Sequence, residues 1–224
     1  MTSAKLKYVA IITMLIDHIG AFILEDVYGL NSTIYILSRS LGRIAFPIFV
    51  FLLVEGFKKT KNIKKYFINL LIFAFISEIP FDLVHNGTIF DPSHQNIFFT
   101  LLAGLIMLIL IDRIRIKREN IKIITEIFIV ILFSLLSMVF RFDYSFFAPL
   151  VFYSYYKFYD SKKIRFLGSE LALYFEALSF VHISNILIYF YNGERGRQNK
   201  YFFYLFYPLH LLIIYFLKIK LINL

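Results

Sequence analysis

Long apolar stretches, broken at short intervals by polar clusters, dominate this chain. Runs of about 20 apolar residues, the length needed to cross the hydrocarbon core of a bilayer, recur at 6–24, 35–56, 66–84, 96–111, 121–139, 145–159, 167–190 and 201–218. They predict eight helices. The breaks carry charges or turn-forming residues, as in KKTKNIKK, HNGTIFDPSHQ, DRIRIKREN and NGERGRQNK. With no internal repeat and no separate soluble stretch, residues 1–224 read as one integral membrane domain, an all-α polytopic bundle with short connections. Lys5 and Lys7 resemble the charged start of a signal peptide. However, Asp17 and His18 interrupt the apolar run that follows, and no small-x-small cleavage site precedes Glu25, so this segment is expected to remain as a helix.

Composition supports the membrane assignment: 59% of residues are hydrophobic and only 17% charged, outside the range of soluble domains. The net charge of +9 does not indicate nucleic acid, because no basic stripe lies outside the loops and an excess of Lys and Arg marks cytoplasmic loops. If the N-terminus is inside, the inner segments hold Lys5, Lys7, five basic residues in 58–65, five in 113–122, four in 157–165, and Lys218 and Lys220. The outer loops hold Arg141, Arg195, Arg197 and Lys200. This division predicts both ends on the cytoplasmic face of the cell membrane. Cysteine is absent, which removes disulfides, thiolate nucleophiles and Cys-based metal sites; no metal is expected.

Ionisable side chains inside apolar spans are costly and mark function or pairing. Depth along the eight spans places Asp17 and His18, Arg39 and Arg43, Glu78 and Asp82, His94, Asn96 and Thr100, His182, Ser184 and Asn185, and Tyr204, Tyr207 and His210 at one level toward the outer face. Pro47, Pro80 and Pro208 each remove a backbone donor within a span. Together these residues predict a shared polar cavity opening outward. A structural alternative stands beside it: Asp17 pairs with Arg43 and only docks two helices, while Arg39 snorkels to headgroups. Asp17 and His18 project about 100° apart on a helix, so both cannot share one lipid-facing stripe.

Several blocks resemble the TraX family: LKYVAIITMLIDHIGAF, LGRIAFPIFVFLLVEGFKKTKNIKKY, LLIFAFISEIPFDL, NIFFTLLAG, YNGERG and FFYLFYPLHLLIIYF. The resemblance runs from residue 6 to about 217 and is weakest between about 112 and 165. It implies a membrane acetyltransferase, since founding members acetylate the N-terminal amine of conjugative pilin with acetyl-CoA. It also implies kinship with larger membrane acyltransferases that modify surface sugars through an intramembrane histidine. In that comparison His18 and Asp17 match the first-helix pair, Arg39 and Arg43 the arginine-bearing second helix, and His210 the final block.

Acyl transfer from a thioester to an amine needs a proton acceptor and donors facing the developing oxyanion. His18 is the candidate base and Asp17 its orienting group. Arg39 and Arg43 are candidates for the CoA pyrophosphate or the thioester carbonyl, with Glu78, Asn96, Tyr207 and His210 as further binding or catalytic groups. The acceptor is expected to be a pilin-like peptide or a surface glycan, reached by a donor arm passing through the bundle. An acetyl-His18 intermediate and direct transfer both remain open. Two other classes fit the same residues: an ion-coupled carrier with midplane charges and Pro-interrupted helices, and a non-catalytic scaffold of a conjugation or secretion system.

Overall fold

A computed structural model of the chain describes residues 1–176 and 179–222. The helices are α1 (Ser3–Tyr28), α2 (Thr33–Lys59), α3 (Ile63–Asn86), α4 (Ile97–Asp112), α5 (Glu119–Val139), α6 (Ala148–Lys157), α7 (Lys162–Ala172), α8 (Val181–Tyr189) and α9 (Lys200–Ile222). Among the described residues the β structure is one isolated bridge, Gln95 to Phe142. Helix starts follow from short polar side chains that satisfy orphan amides. Asn62 Oδ1 accepts from Lys65 N at 2.9 Å, and Asn96 Oδ1 from Phe98 N at 2.9 Å. Helix α2 is interrupted by a turn at Arg43 and Ile44. Pro47 is the cause, because it has no N–H to give the carbonyl of Arg43 and its ring crowds that group.

Five of these helices, α1, α2, α3, α5 and α9, are long and apolar enough to cross a membrane, and the chain is a multi-pass membrane protein. Its surface is correspondingly apolar: Ile124, Ile127, Phe128, Ile131, Leu135 and Met138 line one exposed stripe of α5 at helical spacing. Helix α4 spans 16 residues, about 24 Å at 1.5 Å per residue. It is the buried centre of the bundle, packed against α3, α5, α6 and α2. Helices α1, α3 and α9 close one side of α2 and α4, and α5 to α8 close the other.

The expected arrangement of the chain ends is corrected here. Segment 167–190 does not form one spanning helix; it belongs to a hairpin in which α7 and α8 pack on each other. A continuous helix would have carried Glu170, His182 and Asn185 separately through an apolar layer. Folding back brings them together: His182 Nδ1 bonds Glu170 Oε2, and Asn185 Nδ2 donates to Glu170 Oε1 at 2.6 Å. Asn185 Oδ1 in turn accepts from Tyr155 Oη at 2.5 Å and Ser169 Oγ at 2.9 Å. Buried polar groups are tolerable only when satisfied in this way.

Because the hairpin returns, residues 190–198 lie beside the N-terminus. Ser3 N donates to Glu194 O at 2.9 Å, Ala4 N to Arg195 O at 3.0 Å, and Lys59 Nζ to Gly193 O at 2.9 Å. Helix α9 then runs parallel to α1. Tyr8 meets Phe203 at one end, and Lys218 Nζ pairs with Asp26 Oδ2 at 3.0 Å at the other. The two chain ends therefore lie at opposite ends of the bundle. The basic residues become more lopsided still: all but Arg39, Arg43, Arg141, Lys218 and Lys220 of the 24 fall toward the N-terminal end.

The natural absence of cysteine makes this arrangement directly measurable. Single cysteines at Lys61 and Gln198 are expected to react with an impermeant maleimide from the same side of sealed vesicles, and one at Lys220 from the other. Labelling of Lys220→Cys from the Lys61 side would restore the arrangement with both ends together.

Candidate active site

Helix α1 presents its two adjacent polar residues to different neighbours. Asp17 faces α2, where Arg39 Nη1 pairs with its Oδ2 at 2.9 Å and also donates to its backbone carbonyl at 3.2 Å. Arg39 is thus a direct partner of Asp17. Arg43 sits at the helix break and stacks its guanidinium 5.3 Å from the Tyr144 ring centre, within electrostatic reach of Asp143. Close approach of α1 and α2 depends on missing side chains. A Cβ on Gly42 would stand 2.1 Å from Asp17 Oδ1, and one on Gly20 2.2 Å from Ser38 Oγ. Immediately beyond Asp17 and His18, α1 loosens into a π-helical turn over Gly20–Leu24, an irregularity frequent at functional sites.

His18 faces α9. Its Nδ1 lies 2.6 Å from His210 Nε2, with the ring planes within 4° of each other. His210 Nδ1 is 2.8 Å from the Phe206 carbonyl oxygen. A carbonyl only accepts, so His210 carries its proton on Nδ1, and in the neutral ring Nε2 is bare. His210 Nε2 then accepts from His18 Nδ1–H, which leaves the unprotonated lone pair of His18 on Nε2. The chain Phe206 O, His210, His18 thus fixes the tautomer of His18, the arrangement an orienting partner gives a histidine. Tyr207 stands edge-on to His18, ring centres 5.9 Å apart, and Phe22 lies 5.7 Å away.

The other expected site residues divide. Glu78 bonds Asn96, and Asn96 Nδ2 also donates to Ala74 O at 2.8 Å, so these two join the start of α4 to α3. Asp82 accepts from Asp91 N at 2.9 Å and orders the α3–α4 connection. In that loop Ser93, donating through Oγ at 2.7 Å and N at 2.8 Å, holds the Asp91 carboxyl below the usual carboxylate range. His94 stacks on His85 at 5.3 Å. Thr100 Oγ1 donates to Asp143 O at 3.0 Å. His182 belongs to the hairpin network and does not join the His18 group. The single outward level of polar groups is therefore several smaller clusters.

Two cavities approach the centre. The larger, about 580 Å³, is open toward the N-terminal end, where Lys7, Lys59, Lys65 and Arg195 line it, and reaches inward to Phe98 and Tyr207. Tyr207 separates its inner wall from the histidine pair, with its ring centre 5.4 Å from that of His210. The smaller, about 280 Å³, is lined by Arg43, Asp143, Tyr144 and Ser145. Its wall is a backbone segment in which Arg141, Tyr144 and Ser145 all have positive φ, a strained geometry for residues with side chains.

Sequence reading missed several of these residues. The cavity lysines and Arg195 were absorbed into the topology count. Asp143 lies in a three-residue break that carried no signal. Glu55 did carry one, as a lone carboxylate in an apolar run: it is buried, pairs with Lys59 at 2.5 Å and accepts from Tyr191 Oη at 2.7 Å beside the cavity.

The fold and site define a polytopic membrane helix bundle with a histidine pair inside it. The model of the TraX family, described as TraX protein, matches residues 2–218, and the chain belongs to that family. A relative, the probable fimbrial assembly protein FimC, serogroup H1, of Dichelobacter nodosus, is 29% identical over 235 residues, covering 94% of this chain and 93% of its own length. No solved structure matches.

Breaking a buried ion pair by removing one partner strands the other charge. Asp17→Ala is therefore expected to cost up to about 3–5 kcal/mol, the figure for a fully buried pair, and Gly42→Ala roughly 1–3 kcal/mol through overpacking. Melting in detergent checks both. Unchanged melting of Gly42→Ala would mean that α1 and α2 do not cross at this point.

Proposed function

We propose that the protein is an acyltransferase of the cell membrane that moves an acetyl group from acetyl-CoA to a primary amine of a pilus-like or other surface acceptor. The observation that carries this reading is the hydrogen-bonded chain Phe206 O, His210, His18, which leaves a fixed, unprotonated imidazole nitrogen inside the bundle. Family membership and the fimbrial assembly name of the relative are consistent with it.

The chemistry asks little else of these residues. The amine nitrogen attacks the thioester carbonyl carbon, a C–N bond forms and the C–S bond breaks. His18 Nε2 takes the proton that the amine loses and returns one to the departing thiolate. His210 is a positioning residue: it keeps His18 in the base tautomer and stabilises the imidazolium that forms. Asp17 holds Arg39 in place against α1. The 580 Å³ cavity gives a donor a way in from the basic end, and an acceptor would approach from the opposite side, near Arg43 and Asp143.

The test is release of CoA thiol from acetyl-CoA by the purified protein, with peptides bearing free N-termini and amino sugars as acceptors. Acceptor-dependent release should fall at least about 100-fold in His18→Ala. In His210→Ala it should fall about tenfold or more, with an altered pH profile because His18 would be free to change tautomer. If His18→Ala keeps full transfer, the assignment is lost. If neither protein consumes the thioester but His18→Ala disturbs assembly of a pilus complex, the scaffold reading replaces it.

A further inference from the structure

The Tyr-Asn-Gly-x-x-Gly block at 191–196 plays no part in the chemistry above, yet its geometry is specific. Gly193 and Gly196 adopt φ of 82° and 70°, the left-handed region that glycine enters freely. A Cβ on Gly196 would also lie 2.6 Å from Thr2 Oγ1. With these turns the block folds over the start of α1, held by the Ser3 and Ala4 bonds and by Asn192 N to Met1 O at 2.9 Å. The result is a clasp that presents Arg195 and Gln198 to the rim of the large cavity, opposite Lys7 and Lys65.

The charges at that rim are unbalanced. Lys59 is paired with Glu55. Lys7 is half-buried, and its Nζ donates to the neutral Gln198 Oε1 at 2.8 Å and lies over the Phe203 ring at 5.3 Å. Among the described residues no carboxylate lies within ion-pair distance of Lys7, Lys65 or Arg195. Lys7 and Arg195 are close enough to repel each other electrostatically. Holding like charges together at the mouth of a cavity is unfavourable unless an anion sits between them. Beyond the rim, Ile11, Met14, Phe49, Leu101 and Phe203 make the walls apolar.

We infer that the clasp and the start of α1 form a phosphate-binding rim, in which Lys7, Lys65 and Arg195 hold the phosphate groups of a donor whose slender arm lies along the apolar cavity toward Tyr207. This rests on the acyl-CoA reading above and assigns the donor's charged end to the opposite side of the bundle from Arg39 and Arg43. Arg39 is already neutralised by Asp17, and Arg43 faces Asp143.

Equilibrium binding to the detergent-purified protein tests it, using CoA, 3′-dephospho-CoA and pantetheine as probes. For the wild type, affinity should fall in that order, pantetheine binding at least about tenfold more weakly than CoA, and CoA binding should weaken as salt rises. Lys7→Gln and Arg195→Gln should each weaken CoA about tenfold and leave pantetheine binding and the melting temperature unchanged. His18→Ala should bind CoA like the wild type. Equal affinity for CoA and pantetheine in the wild type, a comparison that needs no variant, would overturn the phosphate rim while leaving the acyl-CoA reading intact. Full displacement of CoA by phosphatidylglycerol micelles would also overturn it, in favour of a headgroup site. If the wild type binds none of the three probes, the acyl-CoA reading fails and the rim assignment falls with it.

Discussion

The ion pair between Asp17 and Arg39 is the constraint on which the rest of the site depends. A carboxylate and a guanidinium in an apolar bundle must find each other, because either left alone would cost far more than the pair. Their meeting brings α1 against α2 at Gly20 and Gly42, where small residues allow the backbones to approach. With Asp17 turned toward α2, the next residue is rotated by about 100°, which points His18 at α9. The adjacent Asp and His are thus one device. The first sets the rotation of α1, and the second, so aimed, meets His210.

A second set of polar groups performs the equivalent task on the other side of the bundle. Glu170, His182, Asn185, Ser169 and Tyr155 bond one another and close α7 and α8 into a hairpin on α6. The consequence reaches well beyond that hairpin. By returning the chain to the N-terminal end it places the 191–198 clasp over the start of α1 and sends α9 parallel to α1. Only in that direction does His210 fall at the level of His18 and Lys218 at the level of Asp26.

The two ends of the bundle are chemically unlike. The N-terminal end is strongly basic and opens into the larger cavity, with apolar walls. The opposite end carries a smaller cavity with one arginine, one aspartate and a strained loop. The histidine pair lies between them. The proposed transfer, from a donor on one side of the membrane to an acceptor on the other, would use this division.

Hydrophobic runs and the cost of burying charge were enough to establish a helical membrane protein, the positions of α1 to α5 and α9, and that Asp17, His18 and Arg39 needed partners, because hydropathy and burial cost are local properties of residue type. The pairing of those residues was not local. Arg39 and Arg43 lie one turn apart, and depth alone favoured Arg43 as the partner of Asp17; the packing of α1 on α2 brings Arg39 into direct contact with that carboxylate. The hairpin was equally hidden, since 167–190 is apolar enough to read as one span. Only the tertiary bonds among Glu170, His182 and Asn185 show that folding back satisfies groups a straight helix would have left unpaired.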